Sequence, residues 1–201
     1  MQAPASTGYG FGASVSKAGL LMLPMGATMF SFSLASGRLT ARFGSKALLV
    51  AGSAIGVAAF IVLSLTHDRP WEIGVAMGIL GTGFGLAFSA MSSLVVEGVE
   101  AHQTGVASGM NANIRTIGGA IGAAVVSSII AATVTADGLP TKAGYTHAFQ
   151  VLAVAAIAGT FAALLVPTKR HHLSEAERHD AVPHAELGIV AAGTLVGTDP
   201  E

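Results

Sequence analysis

The run Gly105-Val-Ala-Ser-Gly-Met-Asn-Ala-Asn-Ile-Arg115-Thr-Ile-Gly-Gly-Ala-Ile-Gly122 sets a guanidinium inside a long apolar stretch. On a helix, at about 100° per residue, Ser108, Asn111, Arg115, Gly118, Gly119 and Gly122 share one side. The amide and the guanidinium then sit one turn apart beside a glycine-smooth surface. Such a pair can hydrogen-bond and carry charge, but no nucleophile constellation accompanies it. A guanidinium within a membrane span costs roughly 2.5 to 3.5 kcal/mol on insertion scales, so it should face protein, water or a counter-charge. The other reading is that Thr116 to Val134 nearly suffices as a span by itself, with Arg115 snorkelling to the surface. The residues leave both open.

Covalent chemistry finds little support elsewhere. No serine lies in G-x-S-x-G, and no embedded His/Asp pair is available to activate one, so an enzyme is not expected. Gly81-Thr-Gly83-Phe-Gly85 is not a phosphate loop, because no strand precedes it and no lysine follows. The absence of cysteine removes disulfides, thiolate catalysis and Cys-based zinc sites. His171, His172, His179 and His184 are irregularly spaced and suit an exposed linker better than a metal site, so no metal or organic cofactor is expected. A net charge of −1 gives no basic field for nucleic acid.

The elements that must position Asn111 and Arg115 follow from where charge is missing. Of the 201 residues, 52% are hydrophobic and 10% charged, with a mean hydropathy of +0.66. An ordinary soluble domain carries about 25% charged residues. The spacing predicts an all-α membrane protein with spans at Ala18–Ser36, Ala47–Thr66, Ile73–Val96, Gly105–Val134 and Phe149–Val166, each near the ~20 residues needed to cross hydrocarbon. The linkers between them are short and polar, the first running from Gly37 to Lys46. Residues 1–13 are expected to form an extracytoplasmic loop, 14–167 the five-helix segment, and 168–201 a cytoplasmic, largely disordered tail. Within that tail, Ser174-x-x-Glu177 could cap a short helix.

Sidedness follows from the basic residues. With the first loop inside, Arg38, Arg42, Lys46, Lys169, Arg170 and Arg178 are cytoplasmic, against Lys17, Arg69 and Lys142 outside. That places the chain in the cell (inner) membrane with its amino terminus outside and its carboxyl terminus cytoplasmic. The partner implied first is the lipid bilayer itself.

Small residues mark where helices should meet. Gly74, Gly78, Gly81, Gly85, Ser89 and Ser92 form a stripe on the third span, suited to close helix packing or to lining a cavity. Gly52 and Gly56 on the second span, and Ala155, Gly159 and Ala162 on the fifth, read as packing faces.

The first loop carries the most specific pattern, Gly37-Arg38-Leu39-Thr40-Ala41-Arg42-Phe43-Gly44-Ser45-Lys46, with glycines where one helix ends and the chain reverses. It resembles the loop motif of the major facilitator superfamily, commonly written G-x-L-x-D-R-x-G-R-K. Gly37, Leu39, Arg42, Gly44 and Lys46 match, while Ala41 replaces the acidic position and Ser45 a basic one. With Leu20-Leu-Met-Leu-Pro24-Met-Gly26 upstream and the Gly105–Gly122 run downstream, residues 1 to 167 resemble the fourteen-span drug:proton antiporter branch.

That resemblance implies the last five helices of an efflux transporter, a partial carboxyl-terminal half of the fold, and a truncated chain. It also implies a proton gradient as coupling ion, a small amphipathic or hydrophobic substrate, and a missing amino-terminal transporter portion or another copy as partner. None of the 11 acidic residues falls within a span, so the family's coupling carboxylates would lie on other helices. The alternative function is a non-transporting membrane protein whose stripes serve only association.

Overall fold

The computed structural model describes residues 10–66, 69–135 and 138–167; residues 1–9 and the tail 168–201 lie outside them, with the tail's cap, its histidines and its expected disorder. The described chain forms five long helices: α1 (Val15–Phe43), α2 (Ser45–Leu65), α3 (Pro70–Gly98), α4 (Thr104–Ala131) and α5 (Lys142–Leu165). Each is long and apolar enough to cross a membrane. Among the described residues there is no strand, only an isolated bridge between Val134 and Pro140.

Local chemistry sets the helix ends. The Ser14 hydroxyl accepts from the Lys17 N–H, opening α1. At α3, Pro70 occupies the first turn, and the Glu72 carboxylate accepts from the Arg69 N–H at 3.1 Å. Between α4 and α5 the chain turns through a hydrogen-bonded hairpin: the Thr135 N–H donates to Leu139 O at 2.9 Å, and Gly138 takes φ 76°.

The first loop departs from expectation. Gly37 to Phe43 continue α1, and Gly44 alone separates α1 from α2. Arg38-Leu-Thr-Ala-Arg42 contains no helix breaker, and the roughly 1 kcal/mol that a glycine costs within a helix does not end α1 at Gly37. The reversal waits for Gly44, whose φ of 84° and ψ of 153° fall in a region open essentially to glycine. Its N–H still closes α1 by donating to Thr40 O at 2.8 Å.

α3 is the central rod. A Cβ on Gly74 would approach Leu21, on Gly78 Pro24 and Thr28, on Gly81 Met25 and Thr28, and on Gly85 Met29. Both sets of numbers rise together, so α1 and α3 run parallel. On another face of α3, a Cβ on Gly83 would lie 2.7 Å from Gly52 O and 2.9 Å from Gly56 N, while one on Gly52 would lie 2.6 Å from Ala87 N. Here the numbers run oppositely, so α2 is antiparallel to α3. α5 packs against α2, and α4 touches α3 and α5 more lightly.

Packing of this kind uses small residues because the bilayer supplies no hydrophobic force between helices; close van der Waals contact must do so instead. The core accordingly contains Ala59, Ala76, Ala90 and Ala148, and Leu63 is the largest fully buried side chain. Large apolar groups point outward: Phe30 is 67% exposed, Ile114 65% and Phe161 64%. That inverts the pattern of a water-soluble domain and suits a lipid surround.

On α5 the packing face differs from the one expected. Ala155, Gly159 and Ala162 are exposed, whereas Gly144, Ala148, Ala153 and Ala163 are buried. With Ala and Gly spread all round this helix, composition alone could not select the face; the hairpin does, pressing Thr133 onto Gly144.

Candidate functional site

The guanidinium of Arg115 lies over the Phe88 ring, 4.7 Å from its centroid. Phe88 in turn stacks on Phe84, one turn away along α3, with centroids 5.3 Å apart and planes 13° from parallel. A cation over an aromatic face is worth roughly 0.5 to 1 kcal/mol when exposed and about 2 when desolvated. Among the described residues Arg115 has no acidic partner, and this ring is its one close contact.

Depth along the helices bears on the two readings of Arg115. The midpoint of α4 falls between Ile117 and Gly118, so Arg115 sits roughly 4 Å from it at 1.5 Å per residue. Phe84 is the midpoint of α3. The guanidinium therefore lies over a ring one turn past the middle of α3, and Arg115 itself is exposed.

The rest of the α4 stripe is open. Asn111 and Gly122 are half-buried, Ser108 and Gly118 exposed, and nothing lies within 4 Å of a Cβ built on Gly118, Gly119 or Gly122. No residue of α4 is buried. On the opposite side Val106, Met110, Ile114, Ile117, Ile121 and Val125 form an exposed apolar stripe. The helix thus has a polar, small-residue side that meets α3 at Arg115 and is otherwise largely open, and a bulky apolar side.

Gly78, Gly81 and Gly85 stand elsewhere, against α1, so they do not join Asn111 and Arg115 on one surface. Their seam is closed by polar links that the sequence reading did not single out. The Thr28 hydroxyl lies 2.8 Å from Gly78 O across the seam and 2.8 Å from Pro24 O in its own helix. One proton serves both carbonyls. Ser36, buried on α1, meets Ser89 on α3 through a hydroxyl pair. Pro24 offers no N–H to the Leu20 carbonyl, so α1 lacks a backbone bond beside this seam.

At the other end lies the loop motif. Leu39 packs on Leu48, Leu86 and Ala90; Gly37 and Arg42 are exposed, with the Arg42 guanidinium 5.4 Å from the Phe43 ring centroid; Lys46 is half-buried. Buried Ser45, in the first turn of α2, donates its hydroxyl to the Glu97 carboxylate from the end of α3. A negative charge at a helix start is favourable, and here it arrives from α3 where the motif's own acidic position holds Ala41.

Phe84, Phe88 and Thr28 are the residues that sequence reasoning passed over. The first two carry a signal, an i, i+4 aromatic pair within a glycine-rich span. Thr28 carries one as well, four residues after a mid-helix proline. Among the described residues no group of three metal-binding side chains occurs. An apolar groove of about 190 Å³ between α2 and α5 is lined by Ala54, Val57, Ile157, Thr160, Phe161 and Leu164.

Comparison with known proteins adds the family. Residues 1–123 match the model of the Major Facilitator Superfamily. The chain is 28% identical over 191 residues to the multidrug resistance protein Stp of Mycobacterium tuberculosis, covering 94% of this chain and 32% of that protein. It is 28% identical over 184 residues to the drug efflux pump JefA of the same organism, covering 87% and 35%. Similarity to the methylenomycin A resistance protein of Streptomyces coelicolor is 31% over 125 residues, 61% of this chain and 26% of that protein. The chain therefore spans about a third of the length, or less, of these curated relatives.

Proposed function

The chain belongs to the Major Facilitator Superfamily, as an all-helical multi-pass membrane protein, and from that premise we propose that it is the carboxyl-terminal five-helix portion of a drug-efflux transporter. In this reading α4 turns its Asn111/Arg115 face to the substrate path, and a further transporter portion supplies the rest of that path. The observation that carries it is the state of α4: a helix with an amide and a guanidinium near its middle, and no buried residue. Leaving that face to lipid would be costly. The relatives named for drug efflux and drug resistance align across most of the chain, which supports a small amphipathic or hydrophobic substrate.

Proton coupling belongs to the same proposal. Antiport needs a carboxylate that changes protonation as access alternates. The acids on the described helices, Glu72 and Glu97, sit within the first and last turns of α3. The coupling group is thus assigned to the further portion, and alternating access to motion between the two. The cell membrane is the location, with the α1–α2 turn cytoplasmic, the amino terminus outside and the carboxyl terminus inside.

The test is proton-driven drug export in inside-out vesicles holding this chain, with and without a co-expressed amino-terminal transporter portion. Export is expected only with both, and Arg115→Ala should lower it at least tenfold while membrane insertion stays normal. Export untouched by Arg115→Ala would remove α4 from the path. A chain that forms stable homo-oligomers and supports no export in either setting would be an association protein instead.

A further inference from the structure

We infer that the Asn111/Arg115 face receives an amphipathic anion, a carboxylate or sulfonate head on a flat apolar body; the assignment rests on the transport reading above. Charge is the first ground. Arg115 is the one charged side chain of the described helices that lies near a helix middle, and among the described residues no acid is near enough to neutralise it. Glu97 is nine residues beyond Phe88 along α3, roughly 13 Å of helix rise, and Glu72 is farther in the other direction. A cationic drug entering here would meet an unscreened positive charge.

Geometry is the second ground. With its guanidinium carbon over the Phe88 ring and no hydrogen bond to it among the described residues, Arg115 keeps its N–H groups for a planar oxyanion, the group this fork matches two bonds at a time. The Asn111 amide, one turn away, adds a further donor. For the apolar body, the Phe84–Phe88 stack supplies an aromatic edge, and Gly118 and Gly122 leave a strip with nothing within 4 Å. A flat ring system can lie against such a strip at close range. Head and body are therefore recognised by adjacent turns of the same two helices.

The full 201-residue chain in phosphatidylcholine nanodiscs provides the test, by equilibrium binding of three probes with one apolar body. These are 1-pyrenebutyrate, 1-pyrenebutanol and 4-(1-pyrenyl)butyltrimethylammonium, each corrected for empty discs. Charge-assisted hydrogen bonds predict that the butyrate binds roughly 10- to 100-fold tighter than the alcohol, with the trimethylammonium weakest. Arg115→Gln should erase the preference, with helicity by circular dichroism unchanged to show that the variant is folded; Arg115→Lys should keep part of it.

Equal binding of all three probes, or a preference for the cation, overturns the assignment. So does displacement of pyrenebutyrate by phosphatidylglycerol doped into the discs, which would make a lipid headgroup the occupant. The binding readout needs no transport. An anion preference without export in the assembled vesicles would sink the transport reading alone, and export without the preference would sink only this one.

Discussion

α3 and α4 look alike in sequence and behave oppositely in the fold. Both are long, apolar and striped with glycine, yet α3 is gripped on two faces and α4 has no buried residue. A Cβ on Gly81 would collide with the Met25 carbonyl, and one on Gly83 would lie 2.7 Å from Gly52 O. Around Gly105, Gly109, Gly118, Gly119 and Gly122 of α4 there is nothing within 4 Å. The difference teaches that glycine in a membrane helix reports a need for closeness without saying to what. On α3 the need is met by α1 and α2 within this chain. On α4, where the neighbouring positions are Asn111 and Arg115, it is not met by any described helix.

The largest test of that contrast is steric. Gly81→Ala forces α1 and α3 apart or bends one of them, and overpacking of this order destabilises by roughly 1 to 3 kcal/mol, occasionally more. Denaturant titration of the chain in bicelles should place Gly81→Ala at or above the upper end. If it unfolds like the parent, the close approach of α1 to α3 is not a feature of the folded protein.

Next comes the turn that brings α2 back along α3. Gly44→Ala meets no neighbour, yet φ 84° with ψ 153° is strained for any side chain, at about 1 to 3 kcal/mol. The same titration measures it, and a neutral result would mean that the α1–α2 turn relaxes to another conformation at no cost. Smaller again is Thr28→Val, which removes the hydroxyl linking α1 to Gly78 O; interhelical hydrogen bonds in membranes average about 0.6 kcal/mol and reach about 1.7. Its control is Thr116→Val on α4, where the hydroxyl bonds only Ala112 O of its own helix at 3.0 Å. An equal effect at both sites would mean that the Thr28 link adds nothing between helices.

These residues also show how far the sequence could be read. The number and order of the helices were legible because charge, Arg115 apart, is confined to their ends, and a span of ~20 apolar residues has few alternatives. The faces of α2 and α3 were legible at Gly52, Gly56 and Gly81, where small size repeats on one side amid larger residues. The face of α5 was not, since Ala and Gly surround the whole helix and Ala155, Gly159 and Ala162 are no smaller than the buried Ala153 and Ala163. The continuation of α1 through Gly37 was hidden because a glycine and a pair of arginines mark a loop only if the chain actually turns there, and backbone hydrogen bonding carried it on to Gly44. For the site, the polar groups Asn111 and Arg115 were visible from their rarity in an apolar span. Phe84 and Phe88 were passed over despite their i, i+4 spacing, because an aromatic residue in such a span is ordinary and only the approach of Arg115 gives it a role.

The substitution expected to cost nothing is the most informative about α4. Gly119→Ala adds a methyl where nothing lies within 4 Å, so the chain alone should lose no stability and gain at most about 1 kcal/mol from helix propensity. Paired with Gly81→Ala, it turns the contrast between the two helices into a difference of a few kcal/mol from one chemical change. Placed in a complete transporter, the same substitution separates two meanings of an uncovered glycine. If another helix closes on that flank of α4, the added methyl destabilises the assembly as Gly81→Ala destabilises this chain. If the flank borders an open path, stability holds and the export rate changes with substrate size, falling most for the bulkiest compound. A neutral result on both counts would return Gly119 to the lipid and leave Asn111 and Arg115 as the whole of the α4 site.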